Sequence, residues 1–278
     1  MGQAPPTCPK SSPPGAAPFR LDTPSRPDPT MRSIVLLSLL ALLPGPLLAA
    51  AELSVAAAAN FAAPLRELAR RFEAQQGGRL LISLGGTGQL YAQIRNGAPF
   101  EVLLAADDAT PARLEREGLA VAGSRFTYAT GQLVLWSARA DLVDAQGLVL
   151  QGDGFQHLAL ANARLSPYGQ ASHALLARLD PQGRLQTRLV EGQNIAQVQQ
   201  FIASGNAELG LVAYSQVFVD GRLRAGSAWP VPPHLYPPLQ QDAVLLRAGQ
   251  HNPLAGEFLA FLRSPASQAL IRRYGYRL

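Results

Sequence analysis

The sequence predicts an α/β protein of two units, each of about 100 residues and each a parallel sheet flanked by helices. Short apolar runs alternate with helical patterns along residues 53–118, and a second set of alternations follows along residues 157–262. Such β-α order forces neighbouring strands parallel, with the helices on the sheet faces. The 278 residues, 47% apolar and only 15% charged, can build sizeable cores and are too weakly charged for a disordered polyelectrolyte.

Residues 53–58 form the first apolar run, followed by Asn60. Phe61, Leu65, Leu68 and Phe72 then share one helical face until Gly77-Gly78 ends it. A strand over 79–84 runs into Gly85-Gly86-Thr87-Gly88, which opens a helix through Leu90 and Ile94 to Gly97. A third strand covers 102–106, and Thr110-Pro111 starts a helix that stops at Gly118. Residues 132–137 (QLVLWS) form a longer strand.

In the second set, a strand over 157–161 leads to a helix from Ser166-Pro167 to Leu179. Residues 188–190 lead into a helix from Asn194 to Ala203, and 209–212 is another strand. After the proline-rich stretch 229–238 come a last strand over 242–246, a helix from Asn252-Pro253 to about Leu262, and a terminal helix from Ser264-Pro265. The C-terminal segment is free to return to the first unit.

The N-terminus reads as processing. Residues 1–30 hold nine of the 23 prolines and no apolar periodicity, so they are expected to be disordered and to precede the true start. Met31-Arg32, an apolar run over 34–43 and small residues at Ala49 and Ala51 have the form of a cleaved secretory signal over 31–51. That run of about 10 residues is too short for a spanning helix, which needs about 20. Cys8 and Lys10 are the only cysteine and lysine. The exported chain therefore carries no disulfide or thiolate chemistry, and its basic residues are all Arg. They are scattered singly or in pairs, which argues against a nucleic-acid stripe.

Four strand-to-helix junctions carry small polar or glycine-rich starts: Ala59-Asn60, residues 85–88, residues 166–169, and Gln193-Asn194-Ile195. In parallel sheets such junctions gather at one edge, where ligands bind. Each helix start offers unpaired N–H groups and about half a positive charge, so several together make an anion site without Lys or Arg. Taken singly, each is an ordinary N-cap.

A dinucleotide-binding oxidoreductase of Rossmann type is the main rival, with Gly85-Gly86-Thr87-Gly88 after a strand and Asp107 about 20 residues on. Tyr91 occupies the third glycine position and is too bulky for the close packing that motif needs. Hydrolase chemistry lacks a G-x-S-x-G and any clustered histidine: His157, His173, His234 and His251 stand alone. No metal-cation spacing occurs, Asp107-Asp108 resembles helix-start chemistry, and Trp136 and Trp229 read as packing or cleft-rim residues.

Several segments together resemble the periplasmic molybdate-binding proteins of ABC importers. They are Ala57-Ala58-Ala59-Asn60-Phe61, Gly86-Thr87-Gly88 with Tyr91-Ala92-Gln93-Ile94, Asn96-Gly97-Ala98-Pro99, and residues 103–107 (LLAAD). Others are 123–128 (GSRFTY), 133–137, 163–169, Gly210-Leu211-Val212-Ala213 and Arg273-Tyr274-Gly275-Tyr276. The resemblance implies a class II periplasmic-binding-protein fold, each lobe a mixed, mostly parallel sheet, the two joined by two crossings near Ser137 and Tyr236. Residues 52–137 and 236–278 would form one lobe and 138–235 the other.

It further implies a monomeric, periplasmic, non-enzymatic carrier of molybdate, and of tungstate. The carrier would hold no cofactor or cation site, only molybdenum as its oxyanion, and would serve a membrane permease and its cytoplasmic ATPase. The implied ligand contacts are Asn60, Thr87 and the Tyr168 and Ile195 N–H groups, with Ala59 and Asn194 as possible additions. Many relatives have Ser at the Asn60 position and hydroxyls where this chain has Gly86, Thr87 and Gly88; an Asn amide can still donate, and the resemblance does not fix which Asn60 atom bonds the anion. Some use a Tyr near position 213, where this chain has Ala213 followed by Tyr214. A fully deprotonated dianion suits a pocket made of donors alone, whereas a carboxylate would repel it. A sulfate or thiosulfate carrier is the alternative within the same class.

Overall fold

The computed structural model describes residues 51–278; the stretch 1–30 and all of the expected signal except Ala51 lie outside them. The first sheet is built from β1 (Glu52–Ala58), β2 (Arg79–Gly85), β3 (Val102–Leu104), β4 (Phe126–Gly131) and β12 (Leu239–Leu245), in the order β2-β1-β3-β12-β4. β1 pairs parallel with β2 and β3, and β12 runs antiparallel to β3 and β4. The second sheet has the order β11-β5-β8-β6-β7, from β5 (Leu133–Ser137), β6 (Leu158–Ala161), β7 (Leu189–Gly192), β8 (Leu209–Ala213) and β11 (Ser227–Pro230). β6 pairs parallel with β7 and β8, and β5 antiparallel with β8 and β11. Each sheet is thus mixed, with its parallel strands fed by helices.

The helices follow from their apolar spacing. In α1 (Ala62–Gln76), Leu65, Leu68 and Phe72 are fully buried against the first sheet, and Gly77 ends the helix in the left-handed conformation at φ 71°, its N–H donating to the Glu73 carbonyl. Burying a side chain the size of Phe72 contributes about 2–3 kcal/mol. α2 (Thr87–Arg95) and α3 (Ala109–Arg116) flank the same sheet, as do the C-terminal α7 (Pro253–Leu262) and α8 (Pro265–Arg273). α4 (Pro167–Leu179) and α5 (Ile195–Ala203) pack on the second sheet, with the short α6 (Tyr214–Val217) after β8. β9 (Phe218–Val219) and β10 (Arg222–Leu223) make a small hairpin apart from both sheets.

Two expectations are corrected. The expected first lobe ends at a crossing near Ser137 and so includes the strand over 132–137. Its residues Leu133–Ser137 pair with β8 and β11, so the chain changes sheets at Gln132, between β4 and β5. All five residues of β5 are buried, which its apolar sequence demands and an edge of the first sheet would not supply. The return passes between β11 and β12, where the Tyr236 hydroxyl accepts the Leu133 N–H at 3.1 Å and ties the crossings together. The helix expected directly after Asn60 begins instead with a 3-10 turn over Ala59–Phe61, and α1 follows at Ala62.

Trp136 and Trp229 are both buried in the core of the second sheet, which makes them packing residues. β4 and β11 escaped the sequence pattern. β11 carries Pro230 and lies at a sheet edge, where a missing N–H is tolerated.

Candidate functional site

The carboxyl ends of the parallel strands in both sheets meet at one place. A small cavity of about 10 Å³ lies there, walled by Ala58, Ala59, Asn60, Gly85, Gly86, Thr87 and Ala106 from the first sheet's side and by Ser166, Asn194 and Ile195 from the second. Asn60, Thr87, Ala59, Asn194 and Ile195 are therefore brought together as the sequence suggested. Tyr168 is not on the wall: its ring is buried, with the hydroxyl 3.4 Å from Gln241 Nε2, and Ser166 represents the start of α4 instead.

Two places on the wall have a local reason to point a donor inward. Thr87 Oγ1 accepts the Ala106 N–H at 3.0 Å, so the hydroxyl's own proton is left for the cavity. Asn194 caps α5, its Oδ1 accepting the Ala196 and Gln197 N–H groups at 3.0 and 3.1 Å. The cap occupies the next two amides and leaves that of Ile195, the first residue of the helix, at the cavity. Helix α5 adds the positive end of its dipole to the same wall.

The glycine-rich turn behaves differently from expectation. Gly86 N–H donates to Gln89 Oε1 at 3.0 Å, and Gly88 N–H crosses to the Leu165 carbonyl at 3.0 Å. These amides close the structure and are not free for a ligand. A Cβ at Gly86 would lie 2.7 Å from the Leu165 oxygen, and one at Gly88 would lie 3.0 Å from the Arg164 oxygen. Glycine is needed at both because backbone from the other side comes so close. Gln89 Nε2 also reaches Gln193 Oε1 at 2.7 Å across the same seam.

Beneath the cavity lies a buried polar cluster that pattern reading missed. Asn60 Nδ2 donates to Gln241 Oε1 at 2.9 Å and to the Tyr276 hydroxyl at 3.0 Å. The Asn60 carbonyl accepts from Ser215 Oγ and Tyr276 Oη at 2.8 and 2.9 Å. Tyr128 Oη lies 3.0 Å from both Gln241 Oε1 and the Ala105 carbonyl. Burial holds the Tyr128, Tyr168 and Tyr276 hydroxyls well above the ordinary tyrosine range, so all three stay protonated. Phe61 fixes two of those rings edge-on, with centroids 4.8 Å from Tyr128 and 5.5 Å from Tyr276.

A larger crevice of about 400 Å³ runs between Asp107, Asp108, Arg113 and Arg116 on one side and Pro167, Gln170 and residues 237–240 on the other. Asp107 Oδ1 accepts the Thr110 N–H at 2.8 Å, the helix-start role the sequence suggested and not that of a ribose ligand. Burial raises the Asp107 pKa. Two carboxylates make this crevice a poor anion site. Among the described residues no group of three or more His, Cys, Asp or Glu is placed to hold a metal ion.

A donor-lined cavity between two mixed sheets is what a solute carrier needs, and the chain bears the mark of one over nearly its whole described length. The family model for bacterial extracellular solute-binding proteins matches residues 53–277. The chain belongs to that family. This solute-binding protein is 53% identical over 229 residues to the molybdate-binding protein ModA of Azotobacter vinelandii, covering 82% of this chain and 91% of that one. It is 45% identical over 228 residues to the protein of the same name from Rhodobacter capsulatus, covering 82% and 89%.

Among solved structures it resembles the periplasmic molybdate-binding protein of Azotobacter vinelandii, with a TM-score of 0.78 and 41% identity over 81% of this chain and 99% of that one. The sulfate-binding protein SubI of Mycobacterium tuberculosis H37Rv shares the fold alone, at a TM-score of 0.65 and 16% identity over 82% and 86%. The class II periplasmic-binding-protein fold is thus established for this solute-binding protein. Its family works in transport, which removes the oxidoreductase alternative.

Proposed function

We propose that this protein captures molybdate, and tungstate with it, in the periplasm and hands it to an ABC permease driven by a cytoplasmic ATPase. The observation that carries this is the chemistry of the small cavity: its walls present hydroxyl, amide and helix-start groups and, among the described residues, no carboxylate or imidazole. A fully deprotonated tetrahedral dianion can have every oxygen satisfied by donors. A protonated phosphate leaves its own hydrogen facing donors. The 53% identity to a protein named for molybdate supports the choice of anion.

The contacts on this account are the Thr87 hydroxyl and the Asn60 side chain from one lobe and the Ile195 N–H from the other; Tyr168, which lies off the wall, is not among them. Ala59 and Asn194 complete the wall. The lobes are residues 52–131 with 239–278, and 133–230. Closing brings both walls onto one anion, and contacts made only in the closed form shift the open–closed equilibrium that the permease reads. Export uses the signal that begins at Met31, and the carrier works as a monomer.

The test is a melting curve with molybdate, tungstate, sulfate, phosphate and a nicotinamide dinucleotide at equal concentration. A ligand at about 100 times its dissociation constant adds roughly 2.7 kcal/mol, a shift of several degrees at this size. Stabilisation by molybdate and tungstate alone is expected. Stabilisation by sulfate would change the substrate, and silence toward every oxyanion would remove the function.

A further inference from the structure

The buried cluster under the cavity decides which end of the Asn60 amide faces a ligand. As arranged here, both Asn60 Nδ2 contacts go down into the cluster, to Gln241 Oε1 and Tyr276 Oη. None of the Asn60 hydrogen bonds engages Oδ1, and Asn60 lines the cavity, so the end opposite Nδ2 is the one turned to a ligand. A carbonyl oxygen there would repel a dianion.

A second arrangement of the same heavy atoms exists. If Asn60 and Gln241 both turn over, the Gln241 nitrogen stands 2.9 Å from Asn60 Oδ1 and 3.0 Å from Tyr128 Oη, at the positions its oxygen now holds. Tyr128 has one proton and two oxygens at 3.0 Å, Gln241 Oε1 and the Ala105 carbonyl. After the turn it donates to Ala105 and accepts from Gln241, so both contacts carry a hydrogen. Tyr168, which only accepts from Gln241 now, donates to it instead across the same 3.4 Å. At the other end Tyr276 gives its proton to Asn60 Oδ1, and Ser215 keeps the Asn60 carbonyl at 2.8 Å. The contacts of Tyr276 with that carbonyl and with Ser215 Oγ, which now share its one proton, then lose it, which offsets the gain at Tyr128. The two arrangements use the same number of internal hydrogens and differ in what they offer the cavity: an oxygen in one, an NH₂ in the other.

We propose that Gln241 is a positioning residue for the anion: it and Asn60 turn over as a pair, so that Asn60 presents its NH₂ to bound molybdate without leaving a buried polar group unpaired. The fold supports the role. A register shift between Gln241 and Asp242 breaks the β12–β4 ladder and leaves both residues buried, Gln241 toward Asn60 and Asp242 toward Arg125 and Thr127. The cluster also spans the cleft, since Tyr168 and Ser215 come from helices of the second lobe. Lobe closure therefore completes the network that sets the amide. This inference rests on the anion site proposed above.

Two measurements test it. In the unmodified protein with labelled side-chain amides, saturation with molybdate should move the proton contacts to the Tyr128 ring onto the Gln241 NH₂ and abolish those between the Asn60 NH₂ and the Tyr276 ring. Persistence of the Asn60–Tyr276 contacts in the saturated protein overturns the proposal. In a double-mutant cycle, Gln241→Met should lower molybdate affinity at least about tenfold beside Asn60 but less than about twofold beside Asn60→Ser, because a serine hydroxyl rotates to donate unaided. Equal losses in both backgrounds would make Gln241 merely structural. Failure of the unmodified protein to bind molybdate overturns the site itself and is seen before either comparison.

Discussion

The two walls of the cavity supply donors by different means. The first lobe uses side chains: Thr87, whose oxygen accepts the Ala106 N–H while its proton is left to donate, and Asn60, set on a buried cluster. The second lobe uses backbone, with the Ile195 amide exposed by the Asn194 cap. Side-chain donors can be removed by substitution, whereas a backbone donor can only be displaced. Changes to the first wall should therefore act on affinity, and changes to the second mainly on stability.

The largest effect should come from the seam between the walls, where neither can be used unless both approach. Gly86→Val places a Cβ 2.7 Å from the Leu165 oxygen and holds the lobes apart. Losing two charge-assisted hydrogen bonds of about 1.5 kcal/mol each predicts a fall in molybdate affinity on the order of a hundredfold, measured by calorimetry. On the first wall, Thr87→Ala should cost about 1–3 kcal/mol of binding, and Thr87→Ser should restore most of it. Unchanged binding by the alanine variant would remove Thr87 from the site.

On the second wall, Asn194→Ala should lower stability by about 1 kcal/mol through the lost cap and weaken binding less than Thr87→Ala. The smallest effect on affinity belongs to Ile195→Ala. The amide remains, so binding should stay within about twofold, while loss of a buried side chain costs about 2–5 kcal/mol of stability in chemical denaturation. A large drop in affinity there would break the distinction between the walls.

The pH dependence follows from the same chemistry. Among the described residues no titratable carboxylate or imidazole lines the cavity, so affinity should be flat from about pH 6 to 9. The buried tyrosines have folded pKa values above their unfolded value of about 10, so the folded state holds protons that the unfolded state releases. Their contribution to stability is full below about pH 10 and is lost as pH rises above it, which alkaline melting curves should show.

The helices and parallel strands were legible because their signals are local: Leu65, Leu68 and Phe72 on one face, Pro167 and Pro253 at helix starts, Gly77 at a stop. The wall residues Thr87, Asn194 and Ile195 were legible as helix starts. The change of sheet at Gln132 was not, because the apolar run QLVLWS says that a strand is buried and not which sheet buries it, and only tertiary contacts decide. The cluster around Gln241 was equally hidden. Gln241 meets Asn60, 181 residues away, and Tyr276 meets Asn60 across 216, with no spacing to reveal them.

Anomalous diffraction from crystals grown with tungstate tests the central claim most directly, that one tetrahedral dianion is held by donors from both walls. A single strong peak between Thr87 Oγ1, Asn60 and the Ile195 nitrogen is the predicted result. A peak in the larger crevice beside Arg113 and Arg116, or one held by only one wall, would contradict it.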